Sequence, residues 1–194
     1  TEKEIQNMYN GLPFDKFLVH DWRNDTVKIG EIPSDFVKEI SEGYMDNSID
    51  VEVNKRFLDS EYDLIISIGQ VVPHEIAGFA NYTKNIMVGC GGSTMINQSH
   101  YLGALYGMER IMGRADTPVR KLYNYGTNKF LSHVPLMYIL TVTTLDRTGL
   151  KLEALSIGLG DELFLETAKV SQEKNLNFLE KAIKKAVVYL DPKE

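Results

Sequence analysis

Leu64-Ile65-Ile66-Ser67-Ile68-Gly69 is the stretch that most limits what this chain can become. Its apolar residues follow one another without the alternation of a half-exposed strand, and the glycine stops them well short of helical length. Such a run predicts a strand buried on both faces, as in a sheet with helices on either side. Around it, residues 17–20, 49–53, 86–88, 136–143, 150–157 and 186–190 read as further strands, with Asp146-Arg147-Thr148-Gly149 as a hairpin turn. Helices are expected after the capping box Thr1-Glu2-Lys3-Glu4, from Ser34 to Gly43, briefly at 55–60, and from Gly91-Gly92-Ser93 to about Met112. Two more should follow Thr117-Pro118, with proline in the first turn, and span 161–172. Strands and helices in this order predict an α/β fold, with a mixed, mainly parallel sheet flanked by helices.

The 194 residues suit a single domain or one large lobe of a longer enzyme. Thr1 at a helix cap and Tyr189-Leu190-Asp191-Pro192 just past an apolar run both read as cuts from a longer polypeptide. No stretch approaches the roughly 18 apolar residues of a membrane span, so no membrane partner is expected. The lone cysteine, Cys90, excludes an internal disulfide framework and fits a reducing, cytoplasmic setting. A net charge of −6 argues against nucleic acid as a partner. Residues 64–133 nevertheless hold six bases against three acids, with three of the four histidines and nine of the fifteen glycines. A small anion, if the chain handles one, belongs in that middle.

Within it, Gly69-Gln70-Val71-Val72-Pro73-His74-Glu75 follows the carboxyl end of the best strand, where ligands of open α/β sheets bind. An imidazole there is placed for acid–base work, although a loop histidine bonded to the backbone satisfies the same pattern. Lys84 stands between polar Asn81-Tyr82-Thr83 and apolar Ile86-Met87-Val88, where a desolvated amine becomes nucleophilic and a solvated one stays inert. Gly89-Cys90-Gly91-Gly92-Ser93 opens a helix whose N-terminus attracts anions, but it matches neither a Walker loop nor GxGxxG. Cys90 in that turn reads as a small residue; as a hydrolase nucleophile it lacks a visible His/Asp partner. His100 shares a helix face with Gly103, Ala104 and Gly107, a stripe that leaves room for a bulky group or for close packing. No HxxxH or His/carboxylate pair accompanies it, so a metal cage made only of protein is not expected. His20 and His133 read as structural.

Taken together, the run from Ser67 to Glu75, Lys84, the 89–93 turn, His100 and Leu102-Gly103-Ala104-Leu105-Tyr106-Gly107-Met108-Glu109-Arg110 resemble the lactate racemase family. The spacing of His74, Lys84 and His100 carries most of that resemblance, which extends over nearly all of the chain as part of an N-terminal catalytic lobe. The resemblance implies racemisation or epimerisation of a 2-hydroxy acid, lactate or a sugar acid, by reversible hydride transfer to a nickel-pincer nucleotide. It implies that Lys84 holds this cofactor covalently, that His100 is the protein ligand of nickel, and that His74 is one of two histidines flanking the substrate carbon. The second histidine and the groups gripping substrate carboxylate and cofactor phosphate are then expected from the remainder of the polypeptide, and this part alone is expected to be inactive. Ala80-Asn81-Tyr82-Thr83 is bulkier than the glycine-rich stretch many relatives carry before the lysine, which leaves the substrate open. The competing expectation is a non-catalytic domain binding a small anion or nucleotide at the 89–93 turn.

Overall fold

A computed structural model describes residues 2–9 and 12–176. The run that opened the sequence reading forms β3 (Ile65–Gln70), in a three-stranded sheet with β6 (Leu136–Asp146) and β7 (Gly149–Gly158). β3 pairs with β6 in parallel, from Ile65 opposite Leu136 to Gln70 opposite Thr141, while β6 and β7 form the antiparallel hairpin. The Asp146 carboxylate closes that hairpin by accepting from the Thr148 backbone nitrogen at 2.7 Å. A second, antiparallel pair joins β1 (Thr26–Ile32) to β2 (Ile49–Asn54). A third, two residues long on each side, joins β4 (Pro73–His74) to β5 (Gly78–Phe79). The described residues hold six α-helices: α1 (Glu2–Met8), α2 (Ser34–Ile40), α3 (Ser93–Tyr106), α4 (Met108–Ile111), α5 (Pro118–Phe130) and α6 (Asp161–Ser171), with short 3-10 or π turns between and after them. The fold is therefore α/β, with a mixed sheet that contains one parallel pair and has helices packed against it.

The core lies on one side of the three-stranded sheet. Leu136, Tyr138, Leu140 and Val142 alternate inward along β6, as a strand with one covered face requires. Tyr82 stacks on Phe164 of α6, with ring centroids 5.1 Å apart, and meets Tyr138 at 4.4 Å, so the turn before Lys84 is built into the core. α3 packs against β2, and α5 reaches β1, where the Phe130 ring lies against Gly30 so closely that a Cβ there would collide with it.

Several expectations change in detail. β3 is not covered on both faces: Ser67 points inward, but Ile66 and Ile68 are 45% and 66% exposed. Their register partners Met137 and Ile139 share that face, with Leu155 and Ile157 of β7 beside them. Residues 17–20 form no strand. Residues 86–88 lie within a π-helical turn, Asn85–Gly89, because Lys84 enters in helical conformation and the Cys90 nitrogen bonds the Asn85 carbonyl at 2.9 Å. Three apolar residues are too few to show a period, and burial alone does not separate strand from helix. The helix expected to reach Met112 breaks at Gly107, whose φ of 96° no helix accommodates, and resumes as α4. The strand expected at 186–190 lies outside the described residues.

Candidate active site

Beyond β3 the chain turns back on itself, and this turn carries His74. The Pro73–His74 and Gly78–Phe79 bridge brings the 75–77 loop over the imidazole. The ring is about four-fifths covered, and its Nδ1 accepts from the backbone nitrogens of Ile76 and Ala77 at 3.1 and 3.3 Å. A backbone N–H can only donate, so the neutral ring carries its proton on Nε2 and presents a donor outward. Burial holds His74 below the usual histidine range. Lys84 pushes in the same direction, Glu75 opposes it, and His100 and Arg120 add smaller depressions.

Lys84 follows a turn of unusual backbone. Asn81 and Tyr82 both take left-handed conformations, with φ of 64° and 58°, which is uncommon for any residue other than glycine. These are positions where a glycine-rich stretch would sit without strain. Here side chains hold the turn instead: the Asn81 amide donates to the Gln70 carbonyl and accepts from Asn85 at 2.6 Å. The Tyr82 hydroxyl donates to Asp161 at 2.8 Å. Arg120 of α5, only 2% exposed, donates to the carbonyls of Phe79 and Asn81 at 2.6 and 3.1 Å and to the Thr83 hydroxyl at 3.0 Å. Its guanidinium lies 4.3 Å from the Phe164 ring centre, and burial lowers it to about 10. Lys84 then stands half-buried, its amine held below the ordinary lysine range first by burial and next by Arg120, against the pull of Glu75.

His100 comes from the middle of α3. Its Nδ1 donates to the Ile96 carbonyl one turn back, at 2.6 Å, which leaves the Nε2 lone pair free. That is the arrangement by which a backbone carbonyl fixes a metal-ligating histidine. Among the described residues no group of three or more His, Cys, Asp or Glu side chains is disposed around a common metal site, so the chain offers one imidazole rather than a cage. The small-residue stripe is only partly open. Ile76 packs against Gly103 and Gly107 faces its own Glu109, while Ala104 remains exposed.

The structure thus brings Lys84 and His100 each within electrostatic reach of His74 and Glu75, with Arg120 acting on His74 and Lys84. The other candidates fall elsewhere. Both nitrogens of His20 are engaged, Nε2 donating to the Gly91 carbonyl at 2.9 Å and Nδ1 accepting from Asn54 at 2.8 Å. It lines a cavity of ≈520 Å³ with Cys90, whose thiol burial pushes upward. A raised thiol beside an imidazole with no free nitrogen is no nucleophile–base pair. His133 is exposed in the turn between α5 and β6. At the start of α3, where an anion was expected, a Glu52 oxygen already accepts from the Thr94 nitrogen at 3.0 Å and lies against Gly92. Arg120 escaped the sequence reading, because nothing in Thr117-Pro118-Val119-Arg120 distinguishes a buried arginine from one on a solvated helix face.

The fold is that of an α/β domain, with His74 just beyond the end of the parallel strand β3. Residues 34–112 match the family model of the lactate racemase N-terminal domain, and all three site residues fall inside the match. Over that stretch, about two fifths of its length, the chain is similar to a lactate racemase N-terminal domain. Among solved structures it is similar to a Thermotoga maritima protein from a structural genomics consortium, with a TM-score of 0.77 and 24% identity over 89% of this chain and 42% of the other. It is also similar to the lactate racemase apoprotein of Thermoanaerobacterium thermosaccharolyticum, with a TM-score of 0.57 and 20% identity over 87% of this chain and 37% of the other. At these identities the two structures speak for the fold, and the chain spans about two fifths of their length. No curated protein matches the sequence.

Proposed function

We propose that the chain supplies the cofactor-bearing part of a 2-hydroxy-acid racemase or epimerase. The observation that carries this reading is that a depressed Lys84 amine and a His100 ring whose Nε2 is free each lie within electrostatic reach of His74. The residues fit a nickel-pincer nucleotide. An amine that loses its proton more readily than an ordinary lysine suits covalent attachment, and a single imidazole donor suits a metal whose other donors come from the cofactor. When bound, this cofactor supplies the carbon–metal centre that accepts and returns hydride.

Lys84 would hold the group in place, His100 would orient the metal through Nε2, and His74 would serve the substrate hydroxyl. As it stands His74 offers a proton from Nε2. To accept one there, the ring must first give up the Ile76 and Ala77 contacts at Nδ1. The buried positive charge of Arg120 adds a field favourable to an anionic substrate. A second acid–base group, the carboxylate and phosphate grips, and a reducing cytoplasmic setting complete the proposal, with the remainder of the polypeptide and a small 2-hydroxy acid as partners. The alternative of an anion site at the start of α3 loses support because the Glu52 carboxylate fills it.

The test is intact mass and nickel content of the full-length protein, made in cells that also express pincer-synthesis enzymes, with Lys84→Ala beside the wild type. A pincer-sized adduct with stoichiometric nickel on the wild type alone is expected. No adduct, where a known family member loads in the same cells, would refute the reading.

A further inference from the structure

The 79–84 turn carries a backbone cost at Asn81 and Tyr82 that side-chain contacts must offset. Two consecutive non-glycine residues in left-handed conformation cost on the order of 1–3 kcal/mol each unless the surroundings over-determine them. Tyr82 is also a large side chain, committed to the core at 1% exposure, so the turn cannot relax by releasing it. The oxygens of Phe79 and Asn81 face inward, where they need donors.

Three of the hydrogen bonds that tie this stretch to residues distant in sequence come from one guanidinium, beside those of Tyr82 to Asp161 and Thr83 to Asn124. Arg120 reaches the Phe79 carbonyl with one nitrogen, and the Asn81 carbonyl and Thr83 hydroxyl with the other. Thr83 passes the contact on, donating to Asn124 at 2.7 Å, so α5 grips the turn twice. No carboxylate forms an ion pair with Arg120 among the described residues, and its Nε has no hydrogen-bond partner. A buried charge without a paired anion is costly. The three acceptors that Arg120 satisfies are what offsets that cost here.

We propose that Arg120 is the positioning residue for Lys84, its planar fork holding the 79–83 turn in the left-handed course that delivers the amine toward His74. A lysine in its place would be a point donor and could not span three acceptors in fixed geometry. The proposal rests on the reading of Lys84 as the reactive amine. Its test follows the amine itself rather than a loaded cofactor, so the two readings can fail separately.

The experiment is competitive acetylation of the intact protein with acetic anhydride across neutral to alkaline pH. Lys84 is followed by peptide mass spectrometry, with exposed Lys38 as the internal reference. Arg120→Met, which keeps the length but loses charge and fork, is expected to move the Lys84 profile to higher pH and to lower its labelling near neutrality by roughly three- to tenfold. Arg120→Lys, which keeps the charge, is expected to hold the profile while lowering the labelling yield by roughly twofold or more. Circular dichroism identifies the variants that fold. A folded Arg120→Met with the wild-type profile overturns the proposal. If Arg120→Met fails to fold, Arg120→Lys decides: an unchanged yield overturns the proposal equally.

Discussion

A carboxylate oxygen of Glu52 lies 3.0 Å from the backbone nitrogen of Thr94, so the first turn of α3 is capped by a side chain from β2. The contact satisfies one of the orphan donors at the helix start and sets a negative charge against the positive end of the dipole. Glu52→Ala should cost about 1 kcal/mol in urea unfolding. It should also create phosphate-dependent stabilisation that the wild type lacks. A wild-type protein stabilised by millimolar phosphate would revive the anion-binding alternative.

His74 and His100 hold opposite tautomers. The first accepts at Nδ1 from two backbone nitrogens and carries its proton on Nε2, while the second donates from Nδ1 and leaves Nε2 bare. Long-range nitrogen–proton spectra of the neutral imidazoles should therefore show different patterns for the two rings, each assigned by mutation to glutamine. The pattern of His20 should follow that of His74, since its Nε2 also donates. An Nδ1 proton on His74 would place a basic Nε2 at the site and remove the need for the ring to turn.

The parts legible in the sequence were those whose signal is local. The β6–β7 hairpin announces itself through Asp146 and Gly149, and α5 through Thr117, which caps the Arg120 nitrogen with its hydroxyl, and Pro118 behind it. His74, Lys84 and His100 were singled out by a spacing that resembles the lactate racemase family, and their roles remain proposals. The mistakes have physical causes. The covering of a sheet face depends on what packs there, so Ile66 and Ile68 look in sequence like any buried pair. Asn81 and Tyr82 adopt a conformation that their residue types disfavour, and the compensation comes from Arg120, distant in sequence. Such long-range compensation leaves no periodic trace.

The uncovered sheet face gives a sharp contrast between neighbouring strands. Ile68 is 66% exposed, whereas Leu140, on the opposite face of the adjacent strand, is fully buried. Ile68→Lys should change stability by no more than about 0.5 kcal/mol and improve solubility, because it removes exposed apolar surface. Leu140→Ala should cost about 2–5 kcal/mol through lost contacts and a cavity. Comparable losses in thermal unfolding from both substitutions would mean that Ile68 is covered after all.

Lys84 should carry a stability cost, as residues poised for chemistry often do. Burial and Arg120 lower its amine below the ordinary 10.5, so the folded protein gives up that proton at a lower pH than the unfolded chain does. Between the two values the unfolded state binds more protons, and stability attributable to this group rises with pH up to about 10.5. Below the folded-state value both states are charged, and the folded one bears the full penalty of holding an ammonium in a half-buried site beside a guanidinium. Lys84→Met should therefore stabilise the protein at neutral pH by about 1 kcal/mol and flatten the alkaline rise, while abolishing any covalent adduct. Urea midpoints for both proteins at neutral and alkaline pH measure the two slopes. A methionine variant less stable than the wild type at neutral pH would mean that Lys84 is a well-paired structural cation, and the depressed amine on which the proposed attachment depends would be lost with it.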